Sequence, residues 1–152
     1  MKPILKWPDP RLKQKCEPFD WATDLDLIND LVETMKNNPR AIGLAAPQIG
    51  IMKRFFVVRP KMKIGHPEMA VLVNPKVVKA SSIMKTQEEE CMSFPGVHVM
   101  VQRPMSCRIS FELGPGQGTI EQKFLGLVSR CMLHEIDHLE GINIQDYKRR
   151  PM

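Results

Sequence analysis

The sequence predicts an α+β fold in which one or two helices pack on antiparallel β-sheet. Three observations predict it. Two segments have the apolar spacing of a helix, short runs rich in Val, Ile and Phe lie between them, and a Gly-Pro-rich turn joins two of those runs. A chain of 152 residues suits one compact unit, so we expect residues 1–152 to form a single domain.

The first predicted helix runs from Asp24 to Lys36. Its apolar residues recur at steps of three and four: Leu25, Leu27, Ile28, Leu31, Val32 and Met35. We expect Thr23 or Asp24 to cap its start and Asn-Asn-Pro to end it. The segment AIGLAAPQIG at 41–50 is then expected to form a loop or a short extended stretch.

Short strands are predicted wherever β-branched and aromatic residues are bounded by Pro, Gly or Asn. These runs are Arg54 to Arg59, Val71 to Val73, Val77 to Val78, Val97 to Val101, Cys107 to Glu112 and Thr119 to Ile120. GPGQG at 114–118 separates the last two runs, which predicts an antiparallel hairpin.

A second helix is predicted from Phe124 to about Leu139. Its apolar stripe consists of Phe124, Leu127, Val128 and Cys131, and the same steps reach His134 and His138. The two histidines therefore extend the buried face of the helix.

Composition restricts the functional class. No apolar run approaches the roughly 18 residues that a membrane span needs, and the start of the chain has three prolines and Asp9 where a signal peptide is apolar. We therefore expect a cytoplasmic protein. The net charge of +5 is spread along the chain, so nucleic acid is not expected as an obligate substrate. Four scattered cysteines are expected to be free thiols or ligands.

The strongest chemical signal is the H-E-x-x-H motif from His134 to His138. One helical turn separates the histidines, so both imidazoles can reach one divalent metal while Glu135 holds the water that the metal activates. The motif predicts a metal-dependent hydrolase.

Such a metal needs a third protein ligand and an open position for water. The 14 residues after His138 contain no histidine, and Glu140 is expected to face away, so the ligand is expected upstream. The upstream candidates are Cys91, Cys107, Cys16, His66, His98 and the carboxylates. Cys91 lies in a turn that could present a thiolate to the helix, although a buried structural cysteine is the alternative interpretation.

Three motifs, in order, resemble those of the peptide deformylase family. Ala41–Gln48 is similar to G-x-G-x-A-A-x-Q, Glu89–Ser93 to E-G-C-L-S, and Leu133–His138 to Q-H-E-x-D-H. The opening ILKWPDPRLKQK and the segment LVNPKVV at 72–78 also resemble the family, whereas residues 60–70 do not. The resemblance implies an α+β catalytic domain in which antiparallel β-sheets pack around a central helix that carries H-E-x-x-H. It also implies that this domain removes the formyl group from N-terminal formyl-methionine.

The resemblance also implies the metal site. Cys91, His134 and His138 would be the ligands, with water as the fourth. Ferrous iron is the family's usual native metal, for which zinc, nickel or cobalt can substitute. Glu135 would take a proton from the attacking water and later deliver it to the leaving amine.

Further roles follow from the same resemblance. The Gln48 side-chain amide and the Met92 backbone N–H would stabilise the oxyanion. The residues expected to bind substrate are Gly43, Ile42, Leu44, Glu89, Glu90, Leu127 and Cys131.

Four positions depart from the family's motifs. They are Ala41 and Glu90 in place of glycines, Met92 in place of leucine and Leu133 in place of glutamine. Glu90 places a bulky acid beside the predicted metal ligand. None of the four removes a ligand, the base or Gln48, so we expect catalysis to survive and substrate range to change.

The implied substrates are the N-formylmethionyl ends of nascent polypeptides, which places the chain in N-terminal methionine processing during protein biosynthesis. We expect a monomer of the compact form that lacks a C-terminal helix, in the cytoplasm of a bacterium or of a phage-infected cell. The basic end Tyr147–Arg150 is open to two interpretations, a ribosome contact or a solvated tail.

Two other functions compete. A zinc peptidase would need a downstream ligand that this sequence lacks and would cleave unformylated peptides. An inactive metal-binding module or ribosome-associated factor would keep the ligands but need not keep Glu135 and Gln48.

Overall fold

A computed structural model describes residues 2–149. Within that range the helices are α1 (Leu25–Lys36) and α2 (Gly126–Leu139). The strands are β1 (Gly43–Ala45), β2 (Phe55–Val58), β3 (Ala70–Ala80), β4 (Met84–Glu89), β5 (Val99–Pro104), β6 (Ser106–Glu112) and β7 (Thr119–Leu125). Short 3-10 helices span Pro10–Lys13, Ala46–Ile49 and Ile144–Arg149. None of the helices among residues 2–149 is long and apolar enough to cross a membrane.

The strands form two antiparallel sheets, one of five strands in the order β1-β2-β3-β6-β7 and one made of β4 and β5. Helix α2 contacts β1, β2, β6 and β7 of the large sheet and β5 of the small one. The predicted α+β class, with antiparallel sheets around a central helix, is therefore confirmed.

Strand β2 shows how the core is divided. Its four residues are all buried, and they alternate between two clusters. Phe56 packs in the cluster that contains Met132 of α2, whereas Phe55 packs in the cluster that contains Met35 of α1. Because successive side chains of a strand point to opposite faces, the large sheet carries a helix on each face at this point.

The first helix has the predicted extent, but its start is stabilised differently. Asp24 occupies the N-cap position and makes no side-chain cap bond to the helix. Its carboxylate instead accepts hydrogen bonds from the Asp20 N–H at 2.8 Å and the Thr23 hydroxyl at 3.3 Å. The predicted N-cap position is therefore confirmed, but the side-chain capping bond is absent, because the carboxylate is engaged by the preceding turn.

Two predicted strands are one. The runs at 71–73 and 77–78 belong to the continuous strand β3, which has a register irregularity between Val73 and Lys76. Asn74 adopts a left-handed φ of 48° there, and its side chain bonds to the backbone of Phe19 and to Glu112. Asn-Pro thus marks a bulge inside a strand and does not end it.

Strand β4 was not predicted. Its sequence MKTQEE is polar and mostly exposed, so it has no apolar alternation, and it forms by pairing with β5. Strand β5 also begins at Val99 and not at Val97, because residues 92–96 form the turn that follows Cys91.

The predicted start of the second helix is wrong by two residues. Phe124 belongs to β7, where it pairs with Cys107 in the expected hairpin, and α2 begins at Gly126. Leu127 is 55% exposed and does not join the buried stripe. Hydrogen bonding to β6 keeps the chain extended through Leu125.

Candidate active site

Three side chains from two distant segments converge beside α2. Cys91 comes from the loop between β4 and β5, and His134 and His138 come from adjacent turns of α2. One ligand atom from each lies within 4.8 Å of the others, and Cys91 Sγ is 3.4 Å from His138 Nε2. One sulfur and two nitrogens are a donor set for a divalent transition metal with room for a further ligand.

The loop that carries Cys91 is held at several points. The Phe94 N–H donates to the Cys91 carbonyl at 2.9 Å, and the Trp7 N–H donates to the Ser93 carbonyl at 2.9 Å. Lys6 Nζ donates to the Met92 carbonyl at 2.8 Å. The N-terminal segment therefore fixes the loop that presents the thiol.

A buried carboxylate orients the first histidine. His134 Nδ1 lies 2.9 Å from Glu89 Oε1, and because a carboxylate only accepts hydrogen bonds, Nδ1 carries the proton and Nε2 is left for a metal. Glu89 also accepts from Arg103 at 2.6 and 2.9 Å and from Arg130 at 2.6 Å. Arg103 also donates a hydrogen bond to Asp137 at 2.8 Å.

This supporting network was missed at the level of sequence. Arg103 and Arg130 carry no local motif, and only the presence of Glu89 and Asp137 inside two motifs could have pointed to them. Tyr147 was predicted as part of a solvated or ribosome-binding tail. Its hydroxyl donates to Asp137 at 2.6 Å, and Asp137 also accepts from Arg103, so Tyr147 belongs to the network that supports the site. Arg150 of that tail lies outside the described residues.

The electrostatics favour a thiolate. Burial alone would raise the pKa of the Cys91 thiol, but His138 and His134 beside it outweigh burial and hold that pKa well below its usual range. The pKa of Glu89 is also lowered: burial opposes this, and the hydrogen bonds from His134 and Arg103 overcome it. Cys91 and Glu89 are therefore both favoured in their negatively charged forms beside the histidines.

Glu135 is a buried carboxylate on the lining of the same site, beside Cys91 and His134. It is 4% exposed, and among the described residues its Oε1 has no hydrogen-bond partner. Burial raises the pKa of Glu135, while His134 and His138 pull it down. A buried, partnerless carboxylate oxygen at the edge of the cleft can hold a water molecule and accept its proton.

Gln48 is brought against the same loop by the 3-10 helix after β1. Its Oε1 accepts from the Ala45 N–H at 2.9 Å, which directs the amide nitrogen to Ser93 Oγ at 3.1 Å and Cys91 Sγ at 3.5 Å. The side chain is 2% exposed. It is thus a fixed donor at the site and not a surface glutamine.

A cavity of about 570 Å³ opens beside these groups. The predicted residues on its lining are Ile42, Gly43, Gln48, Glu89, Glu90, Cys91, Met92, Leu127, Cys131, His134 and Glu135. Leu44 is not on the lining, because its side chain is completely buried in the α1 core cluster, so its predicted contact with substrate is not supported.

Gly43 lies where a side chain would collide with the carboxylate. A Cβ at this position would be 2.6 Å from Glu135 Oε2 and 3.0 Å from Cys131 Sγ. Any side chain at this position would therefore have to displace the Glu135 carboxylate, which favours glycine here.

The segment at 60–70, which carries no family motif, also contributes to the cavity through Met62 and Ile64. It is held by Arg59, whose buried guanidinium donates to the carbonyls of Met35, Ala41 and His66. Sequence analysis missed this wall because its anchors are backbone atoms.

A thiol and two imidazoles beside a buried carboxylate, in an α+β fold with the motif on a central helix, define an H-E-x-x-H metal-dependent hydrolase. The profile of a family described as polypeptide deformylase matches residues 1–151. The chain belongs to this family. Its activity is the family's removal of the formyl group from the N-terminal methionine of newly synthesised polypeptides.

Relatives agree along nearly the whole chain. A peptide deformylase of Agrobacterium fabrum is 37% identical over 153 residues, covering 99% of this chain and 88% of the relative. The crystal structure of peptide deformylase from Thermotoga maritima superposes with a TM-score of 0.85 at 30% identity, over 97% of each chain. A class I type b peptide deformylase from Acinetobacter baumannii superposes with a TM-score of 0.84 at 29% identity, over 97% of this chain and 98% of that one.

Proposed function

We propose that Cys91, His134 and His138 hold one divalent ion and that Glu135 acts as base and then as acid in deformylation. The observation that carries the proposal is the convergence of the three ligand atoms within 4.8 Å beside the Glu135 carboxylate. One thiolate and two imidazoles suit ferrous iron, which we propose as the native ion, and they also suit zinc, nickel or cobalt.

The surroundings fit such an ion. Glu89 keeps the proton of His134 on Nδ1, and the pKa of Cys91 is lowered toward a thiolate. The buried Oε1 of Glu135 has no hydrogen-bond partner among the described residues, as expected for an oxygen that accepts a hydrogen bond from the attacking water. When bound, the ion supplies positive charge to the formyl oxygen and lowers the pKa of the attacking water.

Glu135 then carries the proton. Its carboxylate holds the water against the formyl carbon and accepts a proton as the C–O bond forms. It returns that proton to the methionine nitrogen as the C–N bond breaks, so formate and a free amine leave. Burial, which raises the pKa of Glu135, suits a group that must hold a proton between these two steps.

Two donors stabilise the negative charge that develops on the formyl oxygen. Gln48 Nε2 is already directed at the Cys91 loop, at 3.1 Å from Ser93 Oγ. The Met92 N–H follows Cys91 directly and is held by a loop that Lys6 and Trp7 tie down. Donors fixed before the reaction need no reorganisation when the charge appears.

The substrate is proposed to enter the 570 Å³ cavity, with its methionine side chain against Ile42, Leu127 and Cys131. The Acinetobacter relative was determined with Met-Ala-Ser bound. That tripeptide is the product expected from formyl-Met-Ala-Ser. We propose Gly43, Glu90 and Met92 as further substrate contacts, whereas Glu89 is proposed to position His134, because its carboxylate is engaged by Arg103 and Arg130.

The setting follows from the substrate. We propose a single catalytic domain over residues 1–152 that acts as a monomer in the cytoplasm on nascent chains. Association with the ribosome through the basic end is a further proposal, to be tested by co-sedimentation.

The experiment is formate release from formyl-Met-Ala-Ser by protein purified anaerobically and loaded with iron or nickel. Glu135→Ala and Cys91→Ala are expected to abolish release, whereas Cys16→Ala and Glu140→Ala, outside the site, are expected to retain it. Unformylated Met-Ala-Ser in the same assay tests the zinc-peptidase alternative. A fully metal-loaded parent that releases no formate would contradict the proposal and favour an inactive binding module.

A further inference from the structure

The acid at position 90 stands where the family has glycine, and it lines the cavity. Its side chain is 70% exposed, and its Oε1 lies 2.9 Å from His98 Nδ1. His98 is on the lining as well. The carboxylate therefore lies at the mouth of the cleft, within contact distance of a residue on the same loop.

His98 cannot neutralise the negative charge of the carboxylates around it. Glu88 Oε1 lies 3.8 Å from the same His98 Nδ1, so two carboxylates share one histidine. The cluster of Glu88, Glu90 and His98 keeps a negative charge whether or not His98 is protonated. The exposed positive charge on the lining, Arg40, comes from the separate segment that precedes β1.

The position of this charge relates to the substrate chain. Glu90 is bonded to Cys91, so its Cα lies about 3.8 Å from that of the proposed metal ligand. An extended peptide advances about 3.3 Å per residue. If the formyl group reacts at the metal site and methionine fills the inner cavity, the one or two residues that follow methionine pass the mouth where Glu90 stands.

We infer that Glu90 is a specificity-determining residue that favours formylated substrates with a basic side chain in the first two positions after methionine and disfavours acidic ones. The inference rests on the proposed function. An exposed charge at roughly 6–8 Å in a largely aqueous setting acts weakly, and salt screens it. We therefore expect a preference of about 3- to 10-fold and not an absolute selection.

The test compares kcat/KM for formyl-Met-Lys-Ser and formyl-Met-Glu-Ser, and for formyl-Met-Ala-Lys and formyl-Met-Ala-Glu, with metal-loaded protein. The Lys/Glu ratio of the parent is expected to exceed one in at least one pair. Glu90→Gln, which keeps an acceptor for His98, should lower that ratio about 3- to 10-fold. Glu121→Gln, an exposed carboxylate on β7, removes the same charge outside the cleft and should leave the ratio unchanged.

Salt gives a second readout, since the difference between parent and Glu90→Gln should shrink at high ionic strength. A ratio in Glu90→Gln equal to that in Glu121→Gln would overturn the inference while formyl-Met-Ala-Ser turnover still supported the proposed function. If turnover itself failed, calorimetric binding of Met-Lys-Ser against Met-Glu-Ser would test Glu90 independently: equal affinities in the parent would also overturn it.

Discussion

His134 Nδ1 donates a hydrogen bond to the Glu89 carboxylate at 2.9 Å, and the same carboxylate accepts from Arg103 and Arg130. The second motif thus supplies both Cys91, which offers sulfur to the proposed metal, and Glu89, which orients one of the imidazoles. The last residue of β4 and the loop that follows it therefore each contact a histidine of α2: Glu89 contacts His134 and Cys91 contacts His138.

Replacing Glu89 is expected to weaken metal binding. Glu89→Gln keeps the size of the side chain but removes the charge that holds the His134 proton on Nδ1, and such outer partners typically contribute 10- to 100-fold to metal affinity. Chelator competition with zinc or cobalt would measure the change. Glu88→Gln is the matched control on the exposed face of β4, and equal affinities in the two variants would contradict the positioning role.

Complete removal of the carboxylate is expected to destabilise the fold. In Glu89→Ala the buried Arg103 and Arg130 lose their shared partner, and an uncompensated buried charge typically costs about 3–5 kcal/mol. Urea unfolding of the metal-free protein would give the change in the free energy of unfolding. A loss below about 1 kcal/mol would contradict this expectation.

Removing the Gln48 amide should affect the rate far more than binding. Gln48→Ala is expected to lower kcat about 100- to 1000-fold with little change in KM, because the donor acts on charge that appears in the transition state. Gln122→Ala, exposed on β7, is the control. Metal content must be measured alongside, since Gln48 Nε2 also lies 3.5 Å from Cys91 Sγ, and loss of metal would assign the effect to the ligand loop.

Gly43→Ala is expected to displace the proposed base. The new Cβ would lie 2.6 Å from Glu135 Oε2, so the carboxylate must move, and a displacement of about 1 Å can cost up to 100-fold in rate. We expect kcat/KM to fall about 10- to 100-fold while metal affinity is retained. Gly114→Ala, where a Cβ meets only the flexible Gln117 side chain, should behave like the parent. Full activity of Gly43→Ala would mean that Glu135 can move without consequence.

Asp24 predicts a pH dependence of stability. The Asp20 N–H holds the pKa of the Asp24 carboxyl below its usual range, against the effect of burial and with help from Lys53. Because the folded pKa is lower than the unfolded value of about 3.9, this stabilisation is present above that pH and is lost as pH falls through the folded pKa.

Asp24→Asn should therefore lower the free energy of unfolding by about 1 kcal/mol at neutral pH. The difference from the parent should shrink below about pH 3.9. Urea titrations across pH would measure it, with Glu121→Gln as an exposed-carboxylate control. A constant difference at every pH would assign the effect to packing.

Sequence alone accounted for features that depend on neighbours within one or two turns. The apolar spacing of α1 set its extent, and the four-residue step between His134 and His138 set their common face on α2. Local sequence patterns failed to predict secondary structure where pairing with a distant strand determined it. Strand β4 has no apolar pattern and exists because β5 offers hydrogen bonds, and Phe124 is extended because β6 pairs with it.

The identity of the third metal ligand could not be decided by spacing, and three cysteines, two further histidines and the carboxylates were open from the residues alone. Cys91 and His138 are 47 positions apart, so their 3.4 Å approach depends on how the small sheet and the Trp7 segment pack against α2. The burial of Leu44, the engagement of Glu89 by two arginines and the exposure of Glu90 were likewise decided by tertiary packing. Periodicity within a helix is a property of the local backbone, whereas the site is made of long-range contacts whose geometry arises only when the separate elements close on one core.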